Sequence, residues 1–260
     1  MNNLNLKSIT EALLETFLNA GKIAKEISQR GVKITIKSDN SPVTDGDIAV
    51  DEFLRKKIMN LTSNIPIVSE ETVNLNNKIE NKNKSFWLID PIDGTRDYIR
   101  KGEEYTLNAS LIINSKPAIG IIYAPAKERL FYSYGKNLAF EINKDKKIIL
   151  NCKKKNEKDI IGLENSGPTP SEVLNIYKKY NVTTKNKMSS SLKFCILAAG
   201  EADIYAANAR AYEWDIAAGH AILKHAGGSI TTHNGKEFLY GKDKYKNLPI
   251  IALRSNNLKK

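Results

Sequence analysis

Between Tyr105 and Leu150 the chain can hardly be anything but a run of strands. Leu107–Ile113, Ala118–Tyr123, Leu130–Tyr134, Ala139–Ile142 and Lys147–Leu150 have strand length and strand composition. Turn signals such as Ser115-Lys116-Pro117 and Gly135-Lys136-Asn137 separate them, leaving no room for a crossover helix, so the segment reads as an antiparallel meander. After about residue 150 the rhythm changes. Ile160–Leu163, Val182–Lys185, Ala202–Ala206, Ser229–Thr232 and Leu248–Leu253 read as strands, with Ser171–Lys179, Ser191–Ala199 and Trp214–His225 as helices among them. Sheets of this kind need helices on their apolar faces. The chain is therefore expected to be a layered α/β protein, with an antiparallel-rich N-terminal portion over 1–150 and a smaller C-terminal α/β portion over 151–260.

Ahead of the meander, Ile9, Leu13, Phe17, Ala20, Ala24 and Ile27 recur at three- and four-residue spacing. They predict a helix with a capping box at Ser8 and Glu11 and a stop at Gly31. Val32, Ile34 and Ile36 alternate with Lys33, Thr35 and Lys37 as in a half-exposed strand. A polar turn, Ser38–Pro42, leads to a second helix with Val50, Leu54 and Ile58 on one face. Ile65–Ser69 is a short apolar strand ending at Glu70 and Glu71, and Thr72–Lys84 an Asn- and Lys-rich loop. Ser85–Ile89 is a further apolar strand that runs straight into Asp90.

The 260 residues carry 40 Lys and Arg against 29 Asp and Glu, a net charge of +11, which raises the question of a polyanionic partner. Lys supplies 33 of the cations, and the densest runs, Lys144–Lys147 and Lys153–Lys158, are polar and broken by acids. Nucleic-acid surfaces more often interleave Arg with aromatics on one element. Lys, Asn and Ile rise together when coding sequence is rich in A and T, which explains much of the charge; no stable nucleic-acid partner is expected, and the charge would still steer phosphorylated ligands over long range. No apolar run approaches the ~18–20 residues of a membrane span. Met1–Lys7 lacks the basic start and apolar stretch of a secretory signal, and Cys152 and Cys195 have no metal-type spacing. The expectation is a cytoplasmic globular protein. Cys195 is read as a buried apolar residue, and His220 and His225, among Ala and Leu, as packing residues rather than zinc ligands.

The chemistry concentrates in Asp90-Pro91-Ile92-Asp93-Gly94-Thr95. A strand ending in two carboxylates, stiffened by Pro and loosened by Gly, can aim both carboxylates and the Ile92 carbonyl at one point. Those are hard oxygen ligands suited to Mg²⁺. Gly94 and Thr95 follow at a candidate helix start, where free N–H groups would cradle a phosphate. Taken singly, the other acids have ordinary readings. Asp47 is the third-position acid of a capping box opened by Thr44, Asp215 a first-turn acid favoured by the helix dipole, and Glu70 a strand-end surface carboxylate.

The segment resembles the signature of the inositol monophosphatase-like superfamily of Mg²⁺-dependent, Li⁺-sensitive phosphatases. Lys37, Asp39, Ser41-Pro42-Val43-Thr44 and Asp47 resemble its mobile loop and second helix start. Ser69-Glu70-Glu71 resembles its strand end, and Glu213-Trp214-Asp215-Ile216-Ala217-Ala218-Gly219 its C-terminal helix start. The resemblance covers about Ala12 to Ser255 and implies an α/β/α/β/α sandwich of the sugar-phosphatase kind. It implies further that Glu70, Asp90 and the Ile92 carbonyl hold a first Mg²⁺, and Asp90, Asp93 and Asp215 a second. Thr95 would orient the attacking water and Asp47 or Glu70 accept its proton, with Gly94, Thr95 and Asp215 bordering the substrate. Glu71 is read as a structural or supporting acid.

Within the superfamily, Gly94-Thr95-Arg96-Asp97-Tyr98-Ile99, Tyr123-Ala124-Pro125 and Ser190-Ser191-Leu192-Lys193-Phe194-Cys195 are similar to the CysQ-type 3'(2'),5'-bisphosphate nucleotidases. That resemblance implies removal of the 3'-phosphate of 3'-phosphoadenosine 5'-phosphate to give AMP, with Ser190 or Ser191 and Lys193 holding the nucleotide. Two positions depart from the branch: Glu164-Asn165-Ser166-Gly167 lacks its Arg and His, and Ala207 stands where it has an Arg that grips phosphate. Losing such a contact typically costs ten- to a hundredfold in affinity, a loss that Arg210 or a surface Lys would have to offset. Two further readings therefore stand beside the nucleotidase: a phosphatase of inositol or other sugar monophosphates, and a non-catalytic polyanion-binding module. Peripheral association with the inner face of a membrane is compatible with the family resemblance, and the oligomeric state is left open.

Overall fold

The computed structural model describes residues 4–75, 85–153, 159–209 and 211–258. Most of the loop expected over 72–84, the basic run 154–158 and Arg210 lie outside the described residues. The chain opens with α1 (Leu6–Arg30), β1 (Ile34–Ile36), β2 (Pro42–Thr44) and α2 (Asp45–Leu61). Then come β3 (Ile67–Ser69), β4 (Ser85–Asp93), α3 (Thr95–Ile99), β5 (Thr106–Ile113), β6 (Lys116–Ala124), β7 (Arg129–Ser133), β8 (Ala139–Asn143) and β9 (Lys146–Ile149). The remainder is β10 (Ile161–Glu164), α4 (Ser171–Lys179), β11 (Thr184–Lys187), α5 (Leu192–Ala198), β12 (Ile204–Ala207), α6 (Glu213–His225), β13 (Ser229–Thr232) and β14 (Ile250–Leu253).

The predicted meander is present strand for strand. It forms most of a seven-stranded sheet in the order β3-β4-β5-β6-β7-β8-β9, antiparallel except between β3 and β4. Side chains alternate along each strand, so one face belongs to each neighbouring layer. Leu107, Ala109 and Leu111 of β5, with Ile119 and Ile121 of β6, pack against Leu13, Phe17, Val50 and Leu54 of α1 and α2. Ile112 and Ile122 face the other way, into a core with Phe194 and Leu197 of α5 and Trp214, Ala217 and Ile222 of α6. Leu163 and Ala252 of the second sheet close that same core from the far side. This second sheet runs β11-β10-β12-β14-β13, parallel in its first three strands and antiparallel in the rest. Val173 and Tyr177 of α4 cover its outer face against Ile204, Ala206 and Ile251. The layers are therefore α1/α2, seven strands, α5/α6, five strands and α4, as the sequence predicts.

Two local readings change. The cap of α1 is Asn5, whose side chain accepts from Ser8 N at 3.0 Å, so Ser8 lies inside the first turn and the Ser8–Glu11 box is not the start. The Val32–Lys37 strand shortens to β1 and joins neither sheet: it pairs with β2 alone, leaving Ile34 50% and Ile36 61% exposed. Alternation registers half-exposure, but not which sheet, if any, receives the covered side.

Gly120 explains how closely α6 seats on the seven-stranded sheet. A Cβ at Gly120 would lie 2.3 Å from the Ala218 carbonyl oxygen and 2.7 Å from Ala221 Cβ. Helix and strand backbones touch there, and that seating sets how near Asp215, in the first turn of α6, comes to β4.

Candidate metal centre and active site

The site is built on an irregularity in β4. Asp90 pairs with Asn108 and Asp93 with Thr106, three steps on β4 against two on β5, so one extra residue bulges out. In a regular strand, residues three apart point to opposite faces. The bulge restores their parity, and Asp90 and Asp93 line one cleft while Ile92 packs back among the α1/α2 residues. Gly94 then takes φ 89° and ψ 37°, a left-handed conformation open to Gly, and starts α3 at Thr95.

Glu70, at the end of β3, and Asp215, in the first turn of α6, meet Asp90 with one carboxylate oxygen of each within 4.8 Å of the others. Asp93 is held beside them, its Oδ2 accepting from Ser191 N and lying 2.5 Å from the Ser191 hydroxyl. That hydroxyl also lies 2.6 Å from the Asp215 carbonyl and accepts from Asn108 Nδ2 at 3.2 Å. Asp215 Oδ2 accepts from Tyr212 N at 2.7 Å. The register of α6 is fixed by the buried Glu213, which accepts from Gly241 N and Lys242 N at 2.8 and 2.9 Å.

Burial and mutual repulsion push every member of the group upward. Asp90 is held well above the usual carboxylate range by burial first, then by Glu70, Asp93 and Asp215. Asp215 is held well above it by burial and by the charges of Asp93 and Glu70. Asp93 is raised by burial, against the Ser191 hydrogen bonds and the Lys193 charge that favour its ionised form. Glu70 is raised by burial and by Glu71 and Asp93, in part offset by Lys37, whose ammonium lies 3.0 Å from Glu70 Oε1 and 2.8 Å from Glu71 Oε1. Asp90 Oδ1 is buried with no hydrogen-bond partner. A partnerless carboxylate oxygen inside a cluster of mutually repelling acids is what a divalent cation would relieve, and an all-oxygen donor set suits a hard one. The residues present fit a metal.

Asp47 divides its two oxygens between two tasks. Oδ2 accepts from Thr44 N at 2.7 Å and from the Thr44 hydroxyl at 2.5 Å, completing the capping box of α2. Oδ1 faces the Thr95 hydroxyl at 3.4 Å, and that hydroxyl also lies 3.2 Å from the Ile92 carbonyl. Burial, against the Thr44 hydrogen bonds, pushes Asp47 up to about 6, a value suited to exchanging a proton near neutrality.

A cleft of about 670 Å³ extends from these acids, lined by every sequence-predicted site residue except Asp47. Ser190 donates to the Glu104 carbonyl, and Lys193, 4% exposed, donates to the Met188 and Ser190 carbonyls at 3.1 and 2.6 Å. His220 and His225 stay away from the site, bonded to Tyr240 and Ser133 at 3.0 and 2.9 Å, and Cys195 is fully buried. Two contributors escape the sequence reading. Asn108 supports Ser191 and thereby Asp93, and its signal is a polar residue inside the apolar Thr106–Ile113 strand. The Lys37 bridge to both glutamates joins residues 33 and 34 positions apart, a pairing no local pattern announces.

The model of the inositol monophosphatase family matches residues 5–254. The 3'(2'),5'-bisphosphate nucleotidase CysQ of Buchnera aphidicola subsp. Acyrthosiphon pisum is 36% identical over 213 residues, 82% of this chain and 79% of that protein. The nucleotidase CysQ of Salmonella typhimurium is 30% identical over 233 residues, 88% of this chain and 93% of its own. The crystal structure of CysQ from Bacteroides thetaiotaomicron superposes with a TM-score of 0.78 at 25% identity, covering 96% of this chain and 98% of that one. An inositol monophosphatase from Anabaena shares the fold, with a TM-score of 0.76 at 22% identity over 98% of this chain and 95% of its own.

Proposed function

The chain belongs to the inositol monophosphatase family, and from that premise we propose that it removes the 3'-phosphate of 3'-phosphoadenosine 5'-phosphate, releasing AMP and phosphate. It is a phosphoric monoester hydrolase of a metal-dependent kind. The observation that carries this reading is the partnerless Asp90 Oδ1 among Glu70, Asp93 and Asp215. The nucleotide is favoured over an inositol ester because relatives at 30 and 36% identity bear the nucleotidase name.

In this reading Glu70, Asp90, the Ile92 carbonyl, Asp93 and Asp215 hold Mg²⁺. Bound there, Mg²⁺ supplies charge to neutralise the phosphate and lowers the pKa of water. The chain's own groups do the rest. Thr95 orients the attacking water through its hydroxyl, and Asp47 Oδ1, or Glu70, takes up the proton that the water loses. The ester P–O bond breaks, the water oxygen stays on phosphate, and the ribose 3'-oxygen leaves with the bonding electron pair and takes up one proton, balancing the one the water lost, to become a hydroxyl. Gly94 and Asp215 border the reacting phosphate, while Ser190, Ser191 and Lys193 shape the nucleotide wall. We assign the metal centre largely to the portion 1–150, with Asp215 and the nucleotide wall coming from 151–260.

No described helix is long and apolar enough to cross a membrane, and we propose a cytoplasmic site of action. The test is phosphate release from 3'-phosphoadenosine 5'-phosphate by metal-stripped protein titrated with Mg²⁺. Turnover should be absent without metal, rise saturably with Mg²⁺, and be inhibited by Li⁺ in the millimolar range. Turnover that survives chelation contradicts the reading.

A further inference from the structure

The cleft wall at α3 carries Arg96 and, capping the helix just past its last residue, Arg100, both exposed. Four residues apart on a helix, they share one face about 6 Å apart along the axis. Their backbones are bonded to each other, Arg100 N to the Arg96 carbonyl at 3.4 Å, but among the described residues neither guanidinium has a hydrogen-bond or ion-pair partner. The nearby acids are committed elsewhere: Asp97 accepts from Glu104 N at 2.8 Å, Glu104 from Ser189 N at 2.8 Å, and Glu103 pairs with Lys127 at 3.6 Å. Lys193, the other cation lining the cleft, directs its ammonium at two carbonyls. Asn165, Ser166, Ala207, Asn208 and Asn247, which also line the cleft, bring no charge to it among the described residues.

Two like charges on one helix face repel unless an anion lies between them. No carboxylate of the centre pairs with either guanidinium, and a cation held there would meet the centre's charge in place. We propose that Arg96 and Arg100 together grip the phosphate that is not hydrolysed, making the site selective for a nucleoside bisphosphate over a nucleoside monophosphate. This rests on the nucleotidase reading and adds the residues that recognise the second phosphate. Thr95 begins α3, so a phosphoryl group at the carboxylate centre sits at one end of that helix. A second phosphate a ribose ring away would lie in the same cleft that the arginines line, where guanidinium groups bind phosphate oxygens in pairs.

The experiment compares kcat/KM for 3'-phosphoadenosine 5'-phosphate and for 3'-AMP, with Mg²⁺, in the wild type and in the double variant R96M/R100M. The ratio of the two should fall ten- to a hundredfold in the variant, the range expected for lost charge-assisted phosphate contacts. The fall should lie mostly in KM for the bisphosphate, and R96K/R100K should recover part of it. A wild type that favours the bisphosphate, with the ratio unchanged in R96M/R100M, overturns the arginine assignment alone. Equal losses on both substrates overturn it too, since they mark a general effect on the site. A wild type that hydrolyses inositol 1-phosphate and neither nucleotide overturns the nucleotidase reading and this inference with it.

Discussion

At the scale of single residues, Asp90 works against the stability of the metal-free protein. It is 1% exposed, it repels Glu70, Asp93 and Asp215, and one of its oxygens has no donor. Asp90→Asn removes that repulsion at nearly constant volume. It should raise the melting temperature of the metal-free protein by a few degrees, at about 2–4 °C per kcal/mol for a chain of this size. The same change should abolish the Mg²⁺-induced shift in melting temperature and lower phosphatase activity at least about a hundredfold. A thermal melt with and without Mg²⁺ checks this, and a Mg²⁺ shift kept at wild-type size would refute it. Thr95→Val removes the hydroxyl between Asp47 and the Ile92 carbonyl and should lower kcat about a hundredfold with KM little changed, as steady-state kinetics would show. Residue types in the motifs were legible in the sequence, but their division of labour was not. Asp47 is both a helix cap and the acid facing Thr95 because a carboxylate has two oxygens, and only coordinates assign them. The committed contacts of Lys193 were equally invisible, since carbonyls leave no mark in a sequence.

At the scale of elements, the bulge at Asp90–Asp93 and the contact at Gly120 do most to place the site. The two acids separated by Pro and Ile were visible as a turn-like break, whereas the parity that puts both on one face depends on pairing with β5. Gly120 carries no mark of its own in the apolar Ala118–Tyr123 run, because its reason lies about a hundred positions away in α6. Gly120→Val should destabilise the protein by roughly 1–3 kcal/mol or more, since the atom it meets first is a backbone carbonyl. Urea unfolding measures that cost. Activity should fall with it as α6 and Asp215 are displaced, and an unchanged midpoint would show that the helix is not held where the contact implies. The β1–β2 hairpin shows the limit of periodicity: alternation located β1, but nothing local revealed that it stands outside both sheets with Ile34 and Ile36 uncovered.

At the scale of the whole molecule, the order of strands and helices showed a layered α/β protein and the family resemblance implied its five layers, while the sharing of α5 and α6 between two sheets emerged only from packing. That shared layer buries two neutral histidines. Burial, aided by the Lys224 charge, lowers His220 to about 3 and His225 to about 4. Above pH 6.5 the rings are neutral in both folded and unfolded chains and their contribution is complete. Below it only the unfolded chain takes up protons, so stability falls as pH drops toward the native values, by about 1.4 kcal/mol per pH unit for each histidine. His225→Gln should flatten that decline by one histidine's share. Unfolding free energies of wild type and variant between pH 5 and 8 check it, and the difference between the two isolates the histidine from the raised carboxylates of the site, which act with the opposite sign. Whether this fold presents its carboxylate centre to a nucleotide is tested by phosphate release from 3'-phosphoadenosine 5'-phosphate and inositol 1-phosphate in parallel, with Mg²⁺ and equal substrate concentrations. A preference for the nucleotide of at least about tenfold in kcat/KM is expected, the least that one charge-assisted phosphate contact supplies. A preference for the inositol ester would contradict it, and would mean that Gly167 and Ala207 mark a pocket reshaped for a sugar phosphate.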